Sequence, residues 1–282
     1  MNLLLKRISV VFTAIIIVLA IVAVYSFYIE PARLIVHEED LKIPNWSAKL
    51  DGFKVVAVSD IHGGAKFITE KKIRELVETV NRQNPDLIVL LGDYVSQKSK
   101  RDEDLKMPSE VIAENLKGLR ARYGVYGVVG NHDWWYDEEK VSREFENAGI
   151  KILENETARV RVGDETVNVW GIEDYWKKTK VPLEPFEKIP VKENILAITH
   201  NPDSLLETPP EIALMFAGHT HGGQFKFPIF GALVLVSDER FTEGFVEVDG
   251  RHVFVTTGVG TSGPAVRFRV PPEIAVLRLY AE

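Results

Sequence analysis

Apolar and polar positions follow three regimes along this chain. From residue 8 to residue 28 there is no charge, a run of about 21 residues that can cross a hydrocarbon core of roughly 30 Å as a helix. Further on lie short apolar runs, KVVAVS (54–59), DLIVLLG (86–92), GVYGVVG (124–130), ENILAITH (193–200) and EIALMFAGH (211–219), whose length and near-continuous apolarity predict buried strands. Residues 70–81 and 109–122 between them carry apolar side chains at helical spacing. The later part changes to a period of two with glycine turns. TARVRVGDETVNVWGI predicts a hairpin about Gly163 and Asp164, and GFVEVDGRHVFVTT another about Asp249 and Gly250. Helices flanking two packed mixed sheets accommodate this order, an α/β (α+β) architecture.

Lys6 and Arg7 precede the uncharged run, Tyr25, Phe27 and Tyr28 close it, and Glu30, Arg33, Glu38, Glu39 and Asp40 follow. Basic residues before a span and aromatic residues at its end predict a single-pass anchor in the cell membrane, with a cytoplasmic amino terminus and the folded domain on the outer face. A cleaved signal peptide is the competing reading, with weak cleavage sites at 21–23 and 24–26, but the run exceeds the 7–15 residues of such a segment. The expected organisation is a cytoplasmic tip and anchor at 1–29, a linker at 30–50 and one catalytic domain at 51–282.

Five motifs sit at or just after the apolar runs: SDIH (Asp60, His62), LGDY (Asp93), GNHD (Asn131, His132), ITHN (His200) and GHTHGG (His219, His221). Loops at one sheet edge could bring all of them together. They hold five of the seven histidines, leaving out His37 and His252, and the chain has no cysteine. Imidazole and carboxylate donors suit Mn, Fe, Zn or Ni. Two ions about 3.5–4 Å apart need an anionic bridge, and Asp93 is the natural one. The net charge of -7 gives no support for nucleic acid as a partner, whose backbone is bound by clustered Lys and Arg.

In this order, D-x-H, G-D, G-N-H-D, H, G-H-x-H, the motifs resemble the calcineurin-like metallophosphoesterase superfamily over about residues 60–221. FTEGF, TTGVGTSGPAVRF and PPEI downstream resemble its bacterial membrane-associated phosphodiesterase subgroup. The resemblance implies a four-layer αββα sandwich and two divalent metal ions, Mn first, with Fe or Zn as alternatives. Asp60, His62, Asp93 and His221 would hold one ion, and Asp93, Asn131, His200 and His219 the other. His132 would face the substrate phosphate without ligating metal, so that Asn131 and His132 are the expected catalytic and substrate-binding residues, with Arg267 as a further phosphate contact. Protein phosphatases of the superfamily continue G-D-x-V with Asp-Arg-Gly, whereas Ser96, Gln97 and Lys98 stand here. The usual carboxylate partner of the catalytic histidine is therefore missing, and a protein phosphatase is disfavoured.

The chemistry this implies is in-line attack on phosphorus by a hydroxide bridging the two ions, with His132 protonating the leaving oxygen. The expected function is that of a metal-dependent phosphoesterase, a phosphodiesterase in particular, on a phosphate ester that is lipid-borne or at the cell surface. Two alternatives are a UDP-2,3-diacylglucosamine pyrophosphate hydrolase and an inactive scaffold of the same fold. Trp134, Trp135 and Tyr136, with Phe225, Phe227, Ile229 and Phe230, are placed by sequence to wall the site for acyl chains or to fill the core. The basic stretch KKTK (177–180) reads as a solvated loop, while Arg267 and Arg269 are expected near the mouth. Oligomeric state is not encoded legibly.

Overall fold

A computed structural model describes residues 2–97, 105–228, 230–232 and 234–282; Lys98 and Ile229 fall outside them. Helix α1 (Asn2–Val24) carries no charged residue from Ile8 onward. It runs on through a π-helical turn, Tyr25–Ile29, and a short 3-10 turn, Glu30–Ala32. The whole helix, Leu5–Ala32, has 28 residues and a mean hydropathy of 2.9 over its most apolar stretch, none of which is buried in the protein. It is long and apolar enough to cross a membrane.

Among the described residues two six-stranded mixed sheets share a core. The first contains β1 (Ile35–Ile43), β2 (Phe53–Val58), β3 (Leu87–Leu90), β4 (Val125–Gly127), β5 (Lys151–Ile152) and β14 (Glu273–Ala281), in the order β1-β14-β2-β3-β4-β5. In the second are β6 (Glu156–Val162), β7 (Glu165–Gly171), β8 (Ile195–Ile198), β9 (Leu214–Ala217), β12 (Gly244–Val248) and β13 (Arg251–Val255), in the order β12-β13-β9-β8-β7-β6. A small hairpin, β10 (Lys226–Phe227) and β11 (Gly231–Ala232), stands apart from both. The β6–β7 and β12–β13 hairpins pair antiparallel as expected. At the second, Asp249 (φ 52°) and Gly250 (φ 71°) both take left-handed backbone, as a type I′ turn requires.

Val55, Ala57, Leu87 and Val89 of the first sheet meet Val167, Val169, Leu196 and Phe216 of the second in one cluster. The opposite face of the first sheet is covered by α2 (Glu70–Arg82), α3 (Ser109–Leu116) and α5 (Glu138–Asn147). Ile73, Leu76, Val77 and Val80 recur at helical spacing and are buried on α2, whose Thr69 hydroxyl caps the Lys72 N–H. Burial of each such side chain is worth roughly 1.5–3 kcal/mol. The outer layer of the second sheet is thinner. Trp170, Met215 and Val255 pack there beneath Phe186 of the one-turn α6 (Glu184–Glu187) and Leu205 of a 3-10 segment.

Two expectations need correction. The segment 30–50 was expected as a linker, yet Ile35–Ile43 forms β1 and pairs parallel with β14 along nine residues. Its pattern IVHEEDLKI is too polar to read as a buried strand, because only Leu41 and Ile43 are deeply buried at this sheet edge. A truncation starting at Asp51 would strip that edge. Helix α3 stops at Leu116 rather than at 122, with Gly118 just beyond; glycine costs about 1 kcal/mol relative to alanine within a helix.

Candidate metal centre

Strand direction carries the five motifs to one place. Strands β2, β3 and β4 run parallel in the first sheet, and β7, β8, β9 and β13 in the second. Asp60 and His62 follow β2, Asp93 follows β3, Asn131 and His132 open α4 (Asn131–Tyr136) after β4, His200 follows β8, and His219 and His221 follow β9. Ligand sites of α/β sheets commonly gather outside such carboxyl ends. All eight side chains are buried.

Backbone geometry singles out the same residues. Asp60, His62, Asp93, His219 and His221 all have φ between 47° and 70°. Left-handed backbone at a non-glycine residue is uncommon, and Asp and His tolerate it better than most. Five such residues around one point mark a place where surrounding structure enforces a strained arrangement. Glycine permits the crowding: a Cβ on Gly130 would lie 2.3 Å from Asp93 Oδ1, and one on Gly218 would lie 1.9 Å from Ser59 Oγ.

Three groups of donor atoms are tight enough to hold an ion: Asp60, His62 and His221; His62, Asp93 and His132; and Asp93, His200 and His219. Asp93 belongs to the last two. Its Oδ2 is 3.3 Å from His200 Nε2 and 3.7 Å from His62 Nε2, while Oδ1 accepts the His132 backbone N–H at 2.8 Å. Asn131 Oδ1 lies 3.1 Å from His200 Nε2. Asp60 Oδ1 is 3.2 Å from His221 Nε2, and its Oδ2 accepts the His219 backbone N–H at 3.0 Å.

These residues fit divalent ions on their own atoms. His62 Nδ1 donates to the Val95 carbonyl at 3.1 Å and His200 Nδ1 to the Leu91 carbonyl at 2.7 Å. A carbonyl can only accept, so each Nδ1 carries a proton and each ring turns its Nε2 inward, the orientation that fixes ligating histidines. His62 Nε2 thus faces His221 Nε2 at 3.2 Å, while Asp60 Oδ1 and His219 Nε2 are buried without a hydrogen-bond partner. Buried acceptors without a partner, such as Asp60 Oδ1, are stabilised by positive charge beside them.

The electrostatics agree. Burial holds His62 and His219 down to about 3 and His221 well below its ordinary value, with the neighbouring His62 and Arg267 adding to the depression at His221. Burial pushes Asp60 up to about 6. Burial also acts to raise Asp93, but the attraction of His200 and His132 outweighs it and holds this carboxylate well below the usual range. His200 is depressed by burial and raised further by Asp93, ending well above an ordinary imidazole. Three of the imidazoles, His62, His219 and His221, are thus held neutral close to a firmly ionised carboxylate, a donor set suited to a cation.

His132 Nε2 lies 3.4 Å from Ser262 Oγ, while Asp93 Oδ2 is 4.0 Å away. Ser262 thus stands beside the Nε2 of the ring. The Gln224 side chain fixes it, donating to Ser262 O at 2.9 Å and accepting from Ser262 N at 3.1 Å. Asp133, unremarked in the sequence, ties two motifs together by accepting from the backbone N–H groups of Tyr94, Val95 and Gly130 at 2.9, 3.0 and 2.9 Å.

Arg267 is not at the mouth. It is wholly buried, and its guanidinium donates to the carbonyls of Thr257, Gly258, Gly260 and Val270 at 2.6–3.1 Å, with His221 Nδ1 at 3.4 Å. Those bonds occupy the donors expected to meet a substrate phosphate. Arg267 instead locks the loop behind His221. Lys177 pairs with Glu138 and Glu173, and Lys178 with Glu173, so KKTK is an ion-paired surface loop.

A pocket of about 260 Å³ opens over the cluster, lined by Asp93, Asn131, His132, His219 and His221 and walled by Trp135, Trp176, Val234 and Val236. Trp135 packs 5.2 Å from the His132 ring. Trp176, which the sequence did not single out, lies edge-on 4.3 Å from the His219 ring. Asp174 accepts from the Trp176 backbone N–H at 3.2 Å and from Nε1 of Trp134, whose ring meets Trp135 edge-on at 5.6 Å. Tyr136 is core.

Comparison with known proteins places these features in a lineage. Residues 53–223 match the family model described as calcineurin-like phosphoesterase. The chain is 26% identical over 259 residues to the uncharacterized metallophosphoesterase YkuE of Bacillus subtilis, covering 90% of this chain and 88% of that one. It is 29% identical over 265 residues to the phosphodiesterase YaeI of Escherichia coli, covering 90% and 92%. A zebrafish (Danio rerio) transmembrane protein with metallophosphoesterase domain is 27% identical over 276 residues, covering 92% of this chain and 60% of that protein.

Proposed function

The chain belongs to the calcineurin-like phosphoesterase family, whose members hydrolyse phosphoester bonds, and on that premise we propose that it is a membrane-anchored phosphodiesterase with a two-metal site. The observation that carries the two-metal reading is the place of Asp93 in the middle, grouped with His200 and His219 on one side and with His62 on the other, where His62 also belongs to the group of Asp60 and His221. Asp60, His62, Asp93 and His221 would hold one ion, and Asp93, Asn131, His200 and His219 the other. Two divalent ions bound there supply Lewis acidity and lower the pKa of water from 15.7 to about 7.

The chain's own residues supply the rest. Asn131, at the pocket floor, turns its side chain toward the phosphoryl oxygens on which charge builds. His132 Nε2 faces the same pocket and protonates the leaving alkoxide, which is a poor leaving group without a proton. Ser262 and Gln224 orient that ring. Trp135 and Trp176 exclude water and offer an apolar wall to the ester group. The phosphodiesterase name of the Escherichia coli relative and these aromatic walls support a diester with an apolar, lipid-borne arm. The helix Leu5–Ala32 supports the anchor, and Lys6 and Arg7 before it support an outward-facing domain.

The test is hydrolysis by the full chain in detergent, stripped with chelator and resupplied with Mn, Fe, Zn, Mg or Ni. Bis-p-nitrophenyl phosphate and p-nitrophenyl phosphate are compared in parallel. Metal-restored turnover of the diester is expected. A monoester preference would overturn the phosphodiesterase reading, and an inert protein with two ions bound would leave a scaffold.

A further inference from the structure

One apolar surface belongs neither to the core nor to the span. Phe227, Phe230, Val234 and Leu235, on and just after the β10–β11 hairpin, are 40%, 82%, 54% and 51% exposed. Large side chains exposed together in a compact protein mark a contact surface. Its neighbours say with what. Phe225, at the base of the hairpin, stacks 4.9 Å from Phe268 and lies 5.1 Å from Phe227, and Phe268 meets Tyr25 at the end of the apolar helix edge-on at 6.4 Å. Backbone bonds fix the same joint. Arg267 N donates to Ser26 O at 3.0 Å, Arg269 N to the buried Glu30 side chain at 2.8 Å, and Phe268 N to Gln224 O at 2.8 Å.

The helix end therefore does not hang from a loose linker but is bolted to the strip that carries the hairpin. Phe27, Tyr28 and Ile29 are exposed there, and Lys66 donates to Phe27 O at 3.2 Å with its ammonium 3.9 Å over the Tyr28 ring. Aromatic rings with a cation beside them are what a helix presents at headgroup depth. On its other side the exposed strip runs into the pocket, because Val234, a member of the patch, also lines it with Val236.

We propose that the β10–β11 hairpin and residues 234–235 form a second membrane contact, lying in the headgroup–acyl boundary of the leaflet from which the anchor emerges and turning the mouth of the metal pocket to that leaflet. The substrate class that follows is a phosphodiester of a bilayer lipid, taken from the same membrane without leaving it. This rests on reading α1 as a membrane span and deepens the lipid-borne diester reading. The joint through Phe268, Arg267 and Glu30 makes the two contacts one rigid unit.

The absence of cysteine makes the test direct. Single cysteines replace Phe230, Ile15 within the span, or Lys49, which precedes β2 at the sheet edge opposite the pocket. Each full-length variant carries a nitrobenzoxadiazole label in vesicles of phosphatidylcholine and phosphatidylglycerol with nitroxide-labelled lipid, and its unfolding temperature is checked against the parent. Burial of an interfacial element by about 5–10 Å predicts quenching of roughly twofold or more at 230 and at 15, with none at 49. Quenching at 15 alone overturns the proposal and leaves the anchor standing. Quenching at neither position removes the anchor and the proposal with it. Equal quenching at 49 and 230 overturns it as unspecific adsorption, and a blue-shifted but unquenched probe at 230 overturns it in favour of a second copy of this chain.

Discussion

Asp93 at the floor of the pocket and Phe230 on the exposed hairpin, whose following strip reaches the pocket wall through Val234, have opposite surroundings. Asp93 is 2% exposed, held in left-handed backbone, bonded to the His132 N–H and surrounded by imidazoles. Phe230 is 82% exposed, at the turn of a hairpin that belongs to neither large sheet. The floor is assembled from the ends of buried parallel strands, so a misplaced atom there is resisted by two sheets. The rim is assembled from loops and aromatic side chains, which can change without disturbing the strands beneath. On the proposed function, reaction class would reside in the floor and substrate choice in the rim, which is how one fold serves many substrates.

The comparison is broken most severely at its centre. Asp93→Asn removes the charge shared by two donor groups. Turnover is expected to fall by more than the roughly 100- to 1,000-fold that loss of a single transition-state donor costs, and metal analysis should show fewer than two ions per chain. Near-normal activity would dismiss the bridge. His132→Ala is expected to lower kcat by about 100- to 10,000-fold, the range for a general acid, while two ions remain bound. Loss of an ion in that variant would make His132 a ligand.

Arg267→Met separates a structural cation from a phosphate contact. The carbonyls of Thr257, Gly258, Gly260 and Val270 lose their donors in a buried place, at about 1–3 kcal/mol for each group left unsatisfied. A lowered unfolding temperature at unchanged KM is expected; raised KM with unchanged stability would restore the phosphate-binding role.

A pH series sharpens the electrostatic part. Asp60, raised to about 6 by burial, is ionised above that pH and neutral below it, so metal affinity is present above about 6 and lost as pH falls through it. One displaced proton gives about a tenfold loss per pH unit. His62 and His219, held near 3, displace none, and His200, raised by Asp93, adds its proton in the same direction. Calorimetric titration of the stripped protein with Mn between pH 5 and 7 measures the slope. A flat profile would contradict it. The smallest effect belongs to the rim: Trp176→Ala should raise KM for an apolar diester about tenfold, as expected for an apolar contact worth 1–3 kcal/mol, with little change in kcat.

The motif residues were legible because each follows an apolar run, and a strand that must be buried leaves its ligand at the sheet edge. The hairpins at 163–164 and 249–250 were legible from their alternation and turn residues. β1 escaped because an edge strand can carry HEED without burying it. Trp176 escaped because nothing local marks it, and the role of Asp133 escaped although it closes GNHD; one reaches His219 and the other bridges the Asp93 and Asn131 motifs only after folding.

The reaction chemistry on offer was legible without coordinates: oxygen and nitrogen donors, no thiolate, a family motif order and an apolar segment long enough to span a bilayer. Those are properties of residue type and local spacing, which survive without coordinates. Only the tertiary structure decided which residues share a face of the pocket, that Arg267 supports His221 from behind, that Ser262 stands beside His132, and that the exposed hairpin is bolted to the end of the apolar helix. Such facts depend on contacts between residues as far apart as Ser26 and Arg267, and the periodicity of a chain carries no information about distances of that kind.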